Sequence, residues 1–60
     1  MKKTYKVFFK WLDDGFEDTF NCTGLKELKL NVEAIRNNPN QKLLEVQRQM
    51  PNGEFLTKNI

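Results

Sequence analysis

Histidine is absent from this chain, and cysteine occurs only once, as Cys22. Without histidine, the chain lacks the side chain that most often serves as a general base near neutral pH. The sequence also shows no phosphate-binding loop, no glycine-rich dinucleotide fingerprint, no nucleophile elbow and no metal-ligand spacing. It therefore predicts a protein that is not an enzyme and that uses no cofactor or metal.

The single cysteine also excludes an intrachain disulfide. Small secreted domains usually rely on several disulfides, so we expect a reducing, intracellular setting. No apolar run approaches the ~20 residues that span a bilayer, and lysines interrupt the apolar stretch near the start, which argues against a signal peptide. These absences predict a cytoplasmic protein with no membrane partner. Because no histidine can activate it, Cys22 is interpreted as a buried thiol rather than a reactive one.

The chain also has a small net charge and only one alanine. The formal net charge is +2, which gives little long-range steering and neither requires nor excludes a nucleic-acid partner. One alanine against eight lysines and seven asparagines indicates an AT-rich genome, such as that of a low-GC bacterium or its phage. Residues 1–60 form a single domain, and a domain of this size buries only ~60% of the surface that its unfolded chain exposes. Surface contact is therefore a more economical function than an enclosed substrate cavity.

Two turn signals are present near opposite ends of the chain, Asp13-Asp14-Gly15 and Pro51-Asn52-Gly53. Each lies between strand-like runs and ends in a glycine, which adopts a positive φ at little cost. The first favours a two-residue type I′ turn with Phe9 opposite Phe20, and a three-residue bulged turn is the alternative. The second predicts a type I turn closed by a left-handed glycine.

Residues 4–12 alternate between two faces, as in a half-buried strand. One face is assigned to the core, and its members are Tyr5, Val7, Phe9 and Trp11. The residues of the returning strand assigned to the same face are Phe16, Asp18, Phe20 and Cys22. The opposite face is predicted to lie outside the core, and it carries Lys6, Phe8 and Lys10.

A helix is predicted between the two hairpins. Thr23 is the expected N-cap of a helix that starts at Gly24. The helix should end near Asn37-Asn38, one of which would take the left-handed position, because Pro39 disfavours helical dihedrals in the residue before it. The predicted apolar stripe consists of Leu25, Leu28, Val32 and Ile35. Leu30 lies off this stripe.

Two further strands complete the pattern. Gln41–Met50 predicts a third strand, with Leu44 and Val46 on one face and Leu43 on the other. Phe55–Ile60 predicts a short fourth strand whose inward face stays open. The expected fold is α+β, an antiparallel sheet built from two hairpins with one helix packed on one face, in the order β-β-α-β-β.

Acidic and apolar side chains outside the predicted core are the first candidates for binding. Asp13 and Asp14 form an electrostatic hook for a basic partner or a weak cation site, or are simply turn residues, and the spacing of a calcium loop is missing. Leu30 is a candidate anchor for a partner, although single exposed apolar residues are common.

The basic and aromatic face of the first strand is the other candidate. Lys6, Phe8 and Lys10 match the way in which exposed sheets stack aromatic rings on bases while lysines hold phosphates. A solvated sheet face, or a face buried in a dimer, is the alternative interpretation.

The order of the predicted elements also resembles that of a known family. The residues that carry the resemblance are Tyr5, Val7, Asp13-Asp14-Gly15, Gly24-Leu25 and Lys42 to Gln47. Over residues 5–48 the chain resembles the small phage proteins that inhibit uracil-DNA glycosylase, through element order and not through a specific motif. The resemblance implies a dimer that mimics DNA and inserts a helix-borne Phe into the enzyme. This chain has Leu30 at the matching position and a positive net charge.

The sequence as a whole predicts a non-catalytic binding module that acts by protein–protein contact and self-associates through its sheet. Its composition suggests a low-GC bacterium or its phage, and the resemblance implies a phage or mobile-element protein that inhibits or modulates a host protein. The alternative is a nucleic-acid-binding domain that uses the exposed sheet face through Lys6, Phe8 and Lys10. The identity of the protein partner does not follow from the sequence.

Overall fold

A computed structural model describes residues 3–58 of the chain. The elements follow in the predicted order, and they are β1 Thr4–Trp11, β2 Glu17–Thr23, α1 Leu25–Asn37, β3 Gln41–Gln49 and β4 Phe55–Thr57. The strands form one antiparallel sheet in the order β2-β1-β3-β4, with α1 packed against one face. Within the described residues, β2 and β4 are therefore the edges of the sheet. The predicted α+β architecture is confirmed.

The core lies between α1 and the sheet face that it covers. Its buried members are Tyr5, Val7, Phe9, Cys22, Leu28, Val32, Ile35 and Val46. Trp11 and Phe20 are only partly buried, and both rings meet Phe9 edge-on, with centroid distances of 5.6 and 5.8 Å. The predicted inward face of β1 is confirmed, with Trp11 at its margin.

The β1–β2 connection is a four-residue loop and not the predicted two-residue turn. The loop runs from Leu12 to Gly15, and the Trp11 N–H donates to the Phe16 carbonyl at its base over 2.8 Å. A type I′ turn needs a positive φ at both central residues. Of the two predicted central residues, Asp14 and Gly15, only Gly15 has one, at 76°, since no non-glycine residue within residues 3–58 has a positive φ. The Asp14 carboxylate instead accepts the Phe16 N–H over 2.9 Å, which stabilises the wider loop.

This wider loop shifts the β1–β2 register by two residues. Phe9 lies opposite Asp18, and Phe20 lies opposite Val7. Because the shift is even, each side chain keeps the face that its sequence position predicts. The assignment of Phe16 to the core is wrong, since it precedes β2 and its side chain is 58% exposed.

The helix begins one residue later than predicted. Gly24, not Thr23, is the N-cap, with a φ of 86° and a ψ of 151°. Glu27 then occupies the third helical position, and its Oε1 accepts the Thr23 N–H over 3.4 Å. At the other end the predicted left-handed asparagine is wrong. Asn38 is extended, with a φ of −92°, as expected of a residue that precedes Pro39.

A β-bulge in β3 reverses part of the predicted alternation. The register against β1 shifts between Phe8 and Phe9, and Leu44 is the extra residue on β3. Leu43 packs against the core, whereas Leu44 is 43% exposed. The prediction that Leu44 shares the buried face of Val46 is therefore wrong, because a bulge places one unpaired residue in the strand.

The β3–β4 turn has the predicted form. The Gly53 N–H donates to the Met50 carbonyl over 2.9 Å, and Gly53 has a φ of 92°. β4 ends at Thr57, so it is shorter than predicted, and residues 59–60 of the predicted strand lie outside the described range.

Candidate functional site

The sheet face opposite α1, here called the free face, carries the side chains that alternate with the core. Its positions across the four strands include Lys6, Phe8, Lys10, Glu17, Thr19, Asn21, Lys42, Glu45, Gln47, Phe55 and Thr57. The structure therefore brings the predicted group of Lys6, Phe8 and Lys10 together on one surface, where all three are half-buried.

A shallow groove lies on the free face beside β2. It is lined by Phe8, Glu17, Asp18, Thr19 and Leu44 and has a volume of about 160 Å³. We call it the Phe8–Leu44 groove after its two apolar residues. Leu44 reaches this side of the sheet because the bulge releases it from the core, and the sequence pattern contained no signal for that.

Lysines occupy the rest of the free face in two arrangements. Lys10 and Lys42 lie directly opposite each other on β1 and β3. The ammonium of Lys6 lies 4.5 Å from the centroid of the Phe55 ring, within cation–π range. This contact places Phe55 on the free face and settles the orientation of β4 that the sequence left open.

Glu45 accepts two side-chain hydrogen bonds, one of which, from Thr57, joins β4 to β3. The Thr57 hydroxyl donates to Glu45 Oε2 over 2.6 Å, and the Gln47 amide donates to the same oxygen over 3.1 Å. Both bonds stabilise the carboxylate and lower the pKa of Glu45 from its ordinary value, the Thr57 bond more strongly. Glu45 therefore stays charged between the lysines of the free face.

Asp13 and Asp14 in the β1–β2 loop form hydrogen bonds with the backbone of the loop. The Asp13 carboxylate accepts the Asp14 N–H over 3.0 Å, and the Asp14 carboxylate accepts the Phe16 N–H over 2.9 Å. Both residues are exposed. Within residues 3–58, no group of three or more histidine, cysteine, aspartate or glutamate side chains is placed to hold a metal ion. The loop contributes negative charge at the end of the sheet where Glu17 begins β2.

Leu30 lies on α1, in the layer opposite the free face, so it does not join the other candidates. Its side chain is 62% exposed. The prediction that Leu25 lies on the buried stripe is wrong, because its side chain, in the first turn of α1, is 47% exposed. The two leucines line a second shallow groove with the N-terminal end of α1.

Cys22 is buried, as the sequence predicted, with only 2% of its surface exposed. Burial raises the pKa of its thiol, and the nearby charge of Glu27 raises it further. A thiol in that state is a poor nucleophile at neutral pH.

The outer edge of β2 has a feature that the sequence reading missed. The Trp11 N–H donates to the Phe16 carbonyl and the Gly24 N–H donates to the Lys3 carbonyl, so both are hydrogen-bonded pairs of β1 and β2. Hydrogen-bonded and non-hydrogen-bonded pairs alternate along antiparallel strands. Phe8 and Thr19 therefore form a non-hydrogen-bonded pair, and the Thr19 N–H points away from β1. Asp18 Oδ1 accepts that N–H over 2.8 Å. An aspartate within a strand, where this residue type is depleted, was the available signal.

Comparisons with protein-family models, with curated proteins and with solved structures found no match to this chain. In the part of the chain that the structure describes, no helix is long and apolar enough to cross a membrane.

Proposed function

We propose that this chain is a non-catalytic binding module that contacts another protein through its free face in a reducing, cytoplasmic setting. The observation that carries the proposal is that Phe8 and Leu44 lie side by side on a sheet face that no helix covers within residues 3–58. Apolar side chains that meet at a surface and are rimmed by polar ones are typical of interaction sites. The lone, buried Cys22 supports the reducing setting.

The size of the free face limits the strength of such a contact. The eight residues of β1 extend ~26 Å, and four strands spaced ~4.8 Å apart cover ~19 Å, so the face measures ~500 Å². A standard interface buries ~800 Å² on each partner. Binding through this face alone is therefore expected in the transient class, and self-association through it is expected to depend on concentration.

Affinity capture with paired variants tests the proposal. Leu44→Ser removes an exposed apolar side chain from the free face, and Leu56→Ser is its matched control, since Leu56 is an exposed leucine of β4 on the other face of the sheet. A partner captured from host lysate by the wild type and by Leu56→Ser, but lost with Leu44→Ser, supports binding through the free face. Equal capture by Leu44→Ser and the wild type would overturn it. Sedimentation over a hundredfold concentration range tests self-association, and a strict monomer removes that part.

A second candidate function is nucleic-acid binding by the same face. It is favoured by the direct opposition of Lys10 and Lys42, since like charges in that position repel unless an anion lies between them. Contacts from Lys6, Lys10 and Lys42 to a single strand predict a slope of about −2 for log affinity against log salt concentration. Single-stranded DNA or RNA that leaves the amide chemical shifts unchanged at low salt excludes this function.

The proposal extends to a phage or mobile-element protein that modulates a host protein. The lysine and asparagine bias supports it, as does the resemblance to inhibitors of uracil-DNA glycosylase. The exposure of Leu30 supplies an apolar side chain at the matching helical position. A uracil-excision assay with excess protein tests the resemblance, and unchanged excision removes it.

A further inference from the structure

We propose that the Phe8–Leu44 groove receives an arginine side chain, so that the partner presents a basic segment. The inference rests on the proposed function, because it specifies which protein chemistry the free face recognises. It adds a residue type and a position on the face, neither of which follows from the uncovered sheet alone.

The volume of the groove suits one side chain. At about 160 Å³ it is smaller than the ~300–1,000 Å³ of pockets that hold drug-sized ligands. A guanidinium group stacks on aromatic surfaces, and the methylene stem of arginine packs along apolar ones. Phe8 and Leu44 supply surfaces of these two kinds within the same groove.

The charge of the lining selects a cation. Glu17 on the free face and Asp18 at the outer edge of β2 are the charged residues of the lining, which contains no basic residue; Lys10, directly opposite Glu17, lies outside it. Thr19 adds no free donor for an anion, because its hydroxyl donates to the Val7 carbonyl over 2.9 Å and its N–H donates to Asp18. Arginine carries five N–H donors and no acceptor, which complements a wall of acceptors.

The neighbouring loop strengthens this local preference. Asp13 and Asp14 add two negative charges at the same end of the sheet, against the two positive charges of Lys10 and Lys42. The four acidic residues at this end outnumber the two lysines, although the chain as a whole carries a net charge of +2. An anionic partner would meet like charge at the groove, whereas a basic segment is attracted there.

A panel of single-residue probes tests the assignment. Capped heptapeptides of Gly and Ser carry one central residue, which is Arg, Lys, Gln, Leu or Glu, and ¹H–¹⁵N chemical shifts are followed at low salt. We expect the Arg peptide to shift the amides of Glu17, Thr19 and Leu44 and to bind more tightly than the Gln and Glu peptides. Arg should also exceed Lys, since a planar guanidinium stacks where an ammonium does not.

Charge-neutralising variants locate the contact. Glu17→Gln with Asp18→Asn removes both carboxylate charges but keeps an oxygen that accepts the Thr19 N–H, and affinity for the Arg peptide should fall about tenfold. Asp13→Asn with Asp14→Asn is the matched control, because it changes the net charge equally outside the groove. We expect it to change affinity less than twofold.

Three results would overturn the arginine site, and they differ in whether they also reject protein binding by the free face. Equal weakening by the control pair shows diffuse attraction to the acidic end and no arginine site. Groove shifts with the Leu or Glu peptide but not with the Arg peptide preserve protein binding by the free face and reject arginine. Absence of shifts with every peptide, together with undiminished partner capture by Leu44→Ser, rejects both the arginine site and the proposed function.

Discussion

The Asp18 carboxylate accepts the backbone N–H of its neighbour Thr19 over 2.8 Å on the outer edge of β2. An outward N–H on an edge strand is a template for pairing with another chain, and proteins commonly protect such edges with charge. Here the Asp18 carboxylate both carries that charge and accepts a hydrogen bond from the outward Thr19 N–H. Asp18 therefore serves two purposes, since it closes the edge and lines the Phe8–Leu44 groove.

Replacement of Asp18 by alanine should open this edge. We expect Asp18→Ala to self-associate more strongly than the wild type as protein concentration rises, because an unpaired N–H then faces solvent. Sedimentation velocity and light scattering measure the change. Asp18→Asn is the control, since its side-chain oxygen still accepts the N–H. Identical sedimentation of Asp18→Ala and the wild type at every concentration would contradict the edge role.

Gly24 joins β2 to α1 with a φ of 86° and a ψ of 151°. This region of backbone space is almost restricted to glycine, and a side chain there costs about 1–3 kcal/mol. Gly24→Ala should therefore lower the free energy of unfolding by that amount, measured by urea denaturation. Lys26→Ala, an exposed substitution in the same turn, should change it by less than about 0.5 kcal/mol. A similar small effect of both variants would show that the junction relaxes.

Alternation of side chains was enough to predict which face of β1 is buried, although the turn was assigned wrongly. The observed pairing of β1 with β2 is displaced by two residues from the pairing that a type I′ turn would give. Because two is an even number, Phe9 still faces inward and Phe8 outward. A displacement by one residue would have exchanged the two faces. Face assignment therefore depends on parity alone, whereas register depends on whether Asp14 adopts a positive φ or accepts a hydrogen bond from the backbone.

The candidate groove was not predictable in the same way. It depends on Leu44, and in β3 both Leu43 and Leu44 are plausible inward residues from the sequence. Pairing with β1 selects Leu43, and the bulge turns Leu44 outward beside Phe8. Such a choice is made by contacts between strands distant in the chain, which no local pattern contains.

The stability of the β3–β4 hairpin should depend on the charge of Glu45. Hydrogen bonds from Thr57 and Gln47 lower the pKa of Glu45 in the folded state. A lowered folded-state pKa means that this stabilisation is complete above the unfolded-state pKa and is lost as the pH falls through the folded-state pKa. Thr57→Val should raise the pKa of Glu45 toward its ordinary value in a carboxyl NMR titration, and Thr23→Val should not. An unchanged pKa in Thr57→Val would contradict this account.

Two leucines on α1 provide a test of how the helix is held. Leu28 is 0% exposed and Leu30 is 62% exposed, so the same Leu→Ala change removes a core contact at one position and a solvated side chain at the other. Leu28→Ala should cost about 2–5 kcal/mol, a large part of the ~3–9 kcal/mol expected for 60 residues. Leu30→Ala should cost less than about 0.5 kcal/mol. Because both variants make the same change in helix propensity, the difference in free energy of unfolding reports burial alone. Equal losses in guanidinium denaturation would mean that α1 is not held on the sheet by this stripe.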